Sequence, residues 1–151
     1  MNPPSDNRRG VLCVPGAILH GMEATSGAVL ALDLGATRIR AAVVTSDGRI
    51  LSRADRRTPG ADGPQAVIRA CIEELKSAAG AVSPAIRQSI VGLGLASPGP
   101  LDPRTGALIE PPNFGPGFTD VPFRDPIGAA LGLPAALERD TNVAALAELA
   151  F

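Results

Sequence analysis

Residues 30–44 read LALDLGATRIRAAVV: an apolar run, a carboxylate at Asp33, a tight turn through Gly35, and a second apolar run ending at Val44. The run AVLALD, from Ala28 to Asp33, is short and lies between Gly27 and Gly35, which suits a buried strand ending on a carboxylate. A turn over Leu34 to Thr37 leads to a β-branched, apolar segment from Ile39 to Thr45. Ser46-Asp47-Gly48 then supplies turn residues before Ile50 to Arg53, so the last two runs are expected to form an antiparallel hairpin. Three consecutive strands therefore open the fold.

Beyond this nucleus the period changes. Asp62 is placed to cap a helix, with Pro64 in its first turn and Gln65 three residues after Asp62 as in a capping box. Ile68, Cys71, Ile72, Leu75 and Ala79 then share one helical face, and Gly80 ends the run. Ile90 to Leu95 is a further buried strand, whose Gly92 and Gly94 share a face and imply close approach by another group. A stretch rich in turn residues follows from Ser97 to Gly117. Phe123, Ile127, Ala130 and Leu131 mark a short helix stopped by Gly132, with Pro126 shifting its start or kinking it. Ala135 to Glu138 is a last strand, and a helix runs from Asn142. Three strands and then alternating helices and strands make an α/β fold with a mixed sheet, an order that resembles the ribonuclease H-like (actin-like ATPase) domain.

Composition narrows the chemistry. The 151 residues carry 14 basic and 15 acidic side chains for a net charge of −1, so no field gathers phosphate backbones or anionic lipid, and neither nucleic acid nor membrane is an expected partner. The two cysteines, Cys13 and Cys71, lack the paired spacing of a zinc or redox site and read as free thiols of a reducing, cytoplasmic compartment. His20 is the single histidine, which leaves little material for imidazole catalysis or a metal cluster.

Four segments carry candidate chemistry, each with a plainer alternative. In the Asp33–Arg38 turn, Gly35 admits an anion to the backbone, amides and the Thr37 hydroxyl donate to it, Arg38 adds charge and Asp33 holds magnesium through water. The alternative is an ordinary hairpin. The segment VGLGLASPGPLD (91–102) runs a strand into a Pro-Gly-Pro loop that turn chemistry alone would explain. In PPNFGPGFTDVPF (111–123), Asn113 presents an amide able to read hydroxyl groups, or else closes an Asx-turn. In ALERDTNVAALAE (136–148), Asp140 stands between a strand and a helix, placed to accept a proton from a substrate hydroxyl or to cap the helix.

In this order and spacing the four segments resemble the ROK (repressor, ORF, kinase) family. Its members combine an Asp-Gly-Thr-basic hairpin, a Pro-Gly-Pro loop, a Pro-Asn segment and an Asn-Asp-x-Asn-x-Ala-Ala run. Matching them are Asp33-Leu34-Gly35-Ala36-Thr37-Arg38, Pro98-Gly99-Pro100, Pro112-Asn113 and Asp140-Thr141-Asn142-Val143-Ala144-Ala145. The resemblance covers about Val29 to Glu148. It implies phosphorylation of a hexose, in the manner of a glucokinase, with ATP and Mg²⁺. Asp140 would be the general base, Asn113 and Arg139 would stand with it at the sugar, and Asp33, Gly35, Thr37 and Arg38 would form the first phosphate element, with Asp33 on the metal side. Ala36 and Arg38 replace the usual glycine and lysine. Arg139 replaces the asparagine that touches the sugar, which bears on glucose specificity.

The two ends of the sequence carry expectations of their own. Residues 1–27 read as a disordered or mis-assigned extension with Met22 as the natural start, and 28–151 as the first lobe of a two-lobe kinase, truncated at Phe151 inside a helical pattern. The family's structural zinc cluster, second phosphate loop and adenosine pocket would lie past residue 151, and the intact protein would be a homo-oligomer. The 151-residue chain alone is then expected to bind nucleotide weakly and to turn over no sugar. Competing readings are an inactive ROK fragment and a sugar-sensing regulator without its DNA-binding domain, for which 27 irregular residues are too few. The sugar, and ATP against polyphosphate as donor, stay open.

Overall fold

The computed structural model describes residues 27–150, so the expectations for residues 1–26, with His20, Cys13 and Met22, lie outside the described residues. Strands β1 (Ala28–Leu34), β2 (Arg38–Thr45), β3 (Ile50–Arg57), β4 (Ile90–Ser97) and β8 (Ala135–Arg139) form one sheet in the order β3-β2-β1-β4-β8. β1, β4 and β8 run parallel, while β2 and β3 pair antiparallel, so the sheet is mixed.

Strand alternation divides the residues of this sheet between two faces. Leu30, Leu32 and Leu34 of β1, Ile39, Ala41 and Val43 of β2, Leu93 and Leu95 of β4, and Leu137 of β8 are buried in one cluster. Helix α1 (Pro64–Gly80) closes that face with Val67, Ile68, Cys71, Leu75 and Ala78, and helix α3 (Arg124–Leu131) adds Ile127. Val29, Ala31 and Asp33 alternate to the other face and stay partly exposed.

Four local expectations are corrected. α1 is capped by Gly63 (φ 84°), with no side-chain bond at the cap, because this left-handed residue turns the chain between Asp62 and the helix; Asp62 ends a 3-10 turn, Gly60–Asp62. Pro64 does open the helix. Gly94 meets no group within 4 Å of an added Cβ, whereas Gly92 faces the Pro134 carbonyl. The register between β1 and β4 shifts between Ala28 and Leu30, and the resulting bulge breaks the alternation on which the paired-glycine reading relied. Helix α4 (Asp140–Ala150) begins at Asp140, two residues earlier than expected. Pro126 leaves α3 intact because it is the third helical residue, where the missing amide costs no helical bond.

The segment after β4 contains a three-stranded antiparallel sheet of β5 (Leu101–Asp102), β6 (Ala107–Leu108) and β7 (Val121–Pro122). Buried Leu101, Leu108, Phe114, Phe118 and Val121 hold it to the core, and the Phe114 and Phe118 ring centroids are 5.2 Å apart. A short helix, α2 (Pro84–Gln88), completes the set. Among the described residues no helix is long and apolar enough to cross a membrane.

Candidate functional site

The parallel strands finish together. Asp33 of β1 pairs with Ala96 of β4, and Ala96 with Glu138 of β8; one step on, Ser97 pairs with Arg139. The Gly35 turn, the Pro98–Pro100 loop and the start of α4 therefore leave the sheet from one edge. Only β4 separates β1 from β8, so the strand ends carrying Asp33 and Asp140 are roughly 10 Å apart at ordinary strand spacing. Both carboxylates thus stand at one edge of the sheet.

The turn after β1 is closed by its own backbone: the Gly35 amide donates to the Arg38 carbonyl at 2.8 Å. That amide is thus committed within the turn. An added Cβ on Gly35 would lie 3.2 Å from the Arg38 carbonyl oxygen, so the residue is required to be small by the turn itself. Among the described residues, the Ala36 and Thr37 amides donate to no backbone carbonyl, leaving them as the donors of this turn. Thr58 braces it from behind, with its hydroxyl donating to the Gly35 carbonyl at 2.7 Å and its amide to the Thr37 carbonyl at 3.0 Å.

Charge pairing here differs from what the sequence suggested. Arg38 is paired with Asp55 of β3, and Arg40, not singled out in the sequence, donates to Asp33 Oδ2 at 2.9 Å. Arg40 lies directly across from Asp33 in the β1–β2 register and from Asp55 in the β2–β3 register. Once the turn is fixed, counting back along the hairpin identifies this pair; the sequence reading stopped at Arg38.

At the other end of the row Glu138 ties down α4. Its Oε1 accepts from the Arg139 amide at 2.8 Å and from Asn142 Nδ2 at 2.9 Å. Asp140 is exposed, and its Oδ1 accepts from the amide of Thr141 at 2.7 Å. A capping side chain serves the amides two or three residues on, so Asp140 does not make the usual cap bond. The spacing from Glu138 to Asn142, one helical turn, was the available signal for the anchor that the sequence reading missed.

Arg139 lies along the Pro-Gly-Pro loop: a Cβ added to Gly99 would fall 2.7 Å from its Nε. Asn113 is exposed with φ 67°, a left-handed conformation that asparagine tolerates, in the loop anchored by buried Phe114. Among the described residues no hydrogen bond joins Asn113 to Asp33 or Asp140. The connection is indirect, since Gly60, two residues after Thr58, packs against the Phe114 carbonyl.

No three His, Cys, Asp or Glu side chains among the described residues gather as a metal cage. Magnesium bound with nucleotide needs only one or two carboxylates, the rest of its shell being phosphate and water, and Asp33 beside the Ala36 and Thr37 amides fits that demand. Cys71 has no such role; burial on the inner face of α1 pushes its thiol up to about 12.

The family model described as "ROK family" matches residues 29–151. The chain is 33% identical over 120 residues to the glucokinase of Thermotoga maritima, covering 80% of this chain and 36% of that enzyme. Among solved structures, the ROK hexokinase of Thermus thermophilus superposes with TM-score 0.67 at 37% identity, covering 80% of this chain and 38% of the other. A ROK family glucokinase from Streptomyces griseus, in complex with glucose and AMPPNP, gives TM-score 0.68 at 27% identity, covering 79% and 35%. The chain thus spans a little over a third of the length of these relatives.

Proposed function

The chain belongs to the ROK family, and from that premise we propose that it supplies the acceptor base and first phosphate-binding turn of an ATP-dependent hexose kinase. The observation that carries this reading is the shared edge: Asp33 and Asp140 end two parallel strands separated only by β4.

In this reading the sugar lies against the start of α4, with Asn113 and Arg139 contacting its hydroxyls. Asp140 takes the proton of the reacting hydroxyl as that oxygen bonds to the γ-phosphorus; the bond to the β-phosphate oxygen breaks and ADP leaves. The exposed position of Asp140 and the Glu138–Asn142 anchor beneath it support a base with a fixed origin and an accessible oxygen. The Ala36 and Thr37 amides and the Thr37 hydroxyl donate to phosphate oxygens, and Arg38 adds charge once it leaves Asp55. Asp33 would hold magnesium through water, and the bound ion would neutralise charge on the transferring group.

The test is Asp140→Asn in a chain extended to the length of its kinase relatives. Turnover in a coupled assay over a panel of hexoses should fall by about a hundred- to ten-thousand-fold, the range for loss of a general base, with the melting temperature nearly unchanged. Asparagine keeps an oxygen for the Thr141 amide. Near-normal turnover, or loss through unfolding alone, would leave Asp140 a structural residue.

A further inference from the structure

Asp33, Arg40 and Asp55 form one cross-strand row on the open face of the sheet, and the central guanidinium is opposite a carboxylate on each side. Residues directly opposite in antiparallel strands lie about 4.5–5.5 Å apart at Cβ, so Arg40 reaches either neighbour by side-chain rotation alone. It is recorded on Asp33 Oδ2, while Asp55 receives Arg38 through its own Oδ2. Both members of the Arg40–Asp33 pair are well exposed, at 62% and 48% of the side chain. Such a pair contributes little to stability and parts readily.

An arginine on the carboxylate that a cation must approach would oppose that approach, both by occupying an oxygen and by its charge. We infer that Arg40 is the counter-ion of Asp33 in the metal-free protein and moves to Asp55 when Asp33 takes up a divalent cation. Arg40 is then a positioning residue: it keeps Asp33 in place while the site is empty and sets how strongly the site holds metal. Asp55, with Oδ1 taken by no group among the described residues, is the receiving carboxylate. Asp33 exchanges one positive partner for another, the cation taking the place of the guanidinium that shifts to Asp55 on β3. This rests on the reading of Asp33 as the metal-side carboxylate.

The probe is Mn²⁺ alone, titrated into the 151-residue chain with free Mn²⁺ counted by electron paramagnetic resonance. Arg40→Gln should tighten binding by roughly fivefold, the scale of an exposed ion pair, and Arg40→Lys should return it toward wild type because the charge is restored. Asp55→Asn should weaken binding in the wild-type background and have no effect beside Arg40→Gln. Asp33→Asn should abolish the site in every background. If Asp33→Asn abolishes binding but Arg40→Gln leaves the affinity unchanged, the counter-ion role is overturned and Asp33 keeps its metal. If Asp33→Asn changes nothing in any background, the metal reading of Asp33 fails and the inference fails with it. Far-ultraviolet circular dichroism on each variant, with Arg40→Lys as the mild substitution, separates these outcomes from misfolding.

Discussion

The two faces of the five-stranded sheet are made from the same strands and do opposite things. Under α1 and α3 the residues are mostly leucine, isoleucine and valine, packed to near-zero exposure. On the other face, Ala31, Ala42, Gly94, Ala96 and Ala136 leave a shallow surface, crossed at its polar end by the row Asp55-Arg40-Asp33-Ala96-Glu138. A one-residue step along β1, from Leu32 to Asp33, moves from the first environment to the second. The difference teaches that stability and chemistry are divided by strand parity here: one set of positions supplies burial, and the alternate set presents charge to solvent.

That division is open to direct attack. The largest effect on stability should come from the covered face, where Leu32→Ala removes a side chain that is 2% exposed and should cost about 2–5 kcal/mol in chemical denaturation. A smaller effect is expected in the loop sheet. Gly106 has φ 75°, and an added Cβ would lie 2.6 Å from Cβ of Arg124, so Gly106→Ala should cost about 1–3 kcal/mol through backbone strain and a displaced neighbour. The open face should barely respond: Asp33→Asn breaks an exposed pair and should change stability by less than about 1 kcal/mol. A comparable loss there would show that the open face is structural after all.

The smallest effect near neutrality belongs to Cys71, whose thiol is raised from 9.0 to about 12, first by burial. A group with a raised folded pKa contributes stability that is complete below its unfolded value and lost as pH rises through the folded one. Stability should therefore be insensitive to this thiol below pH 9 and fall between about pH 9 and 12. In a Cys13→Ser background, a disulfide reagent at pH 8 should label Cys71 only after denaturant is added. Rapid labelling of the native chain would show that α1 does not seal the covered face.

The covered face was legible in the sequence because burial imposes a pattern. AVLALD announced β1, and the Ile68-Cys71-Leu75 spacing announced the face of α1 that proved buried. The strand-end positions of Asp33 and Asp140 were legible for a related reason: Asp33 closes an apolar run, and Asp140 stands between a short strand and a helix. What stayed hidden depends on register. The Arg40–Asp33 pair requires knowing that the hairpin closes at Gly35 and Arg38, and the bulge near Gly92 reverses a parity that sequence alone extends without interruption. The sheet of β5, β6 and β7 was missed because two-residue strands are too short to show a period, and the buried Phe114 and Phe118 that anchor it stand in the irregular connection between β6 and β7. Asp62 misled through a motif that was complete except for the backbone direction set by Gly63.

In the proposed kinase reading, nucleotide and acceptor meet at the C-terminal edge of the parallel strands. Backbone amide chemical shifts of the 151-residue chain, followed during titration with Mg²⁺ and ADP, test it most directly. The account predicts that the moving signals are those of Ala36, Thr37, Ser97, Gly99 and the first turn of α4, while Gly48 and Ser89 at the opposite end of the sheet stay fixed. Shifts concentrated at the Thr45–Arg49 turn, or on α1, with the Ala36 and Thr37 amides unmoved, would contradict it.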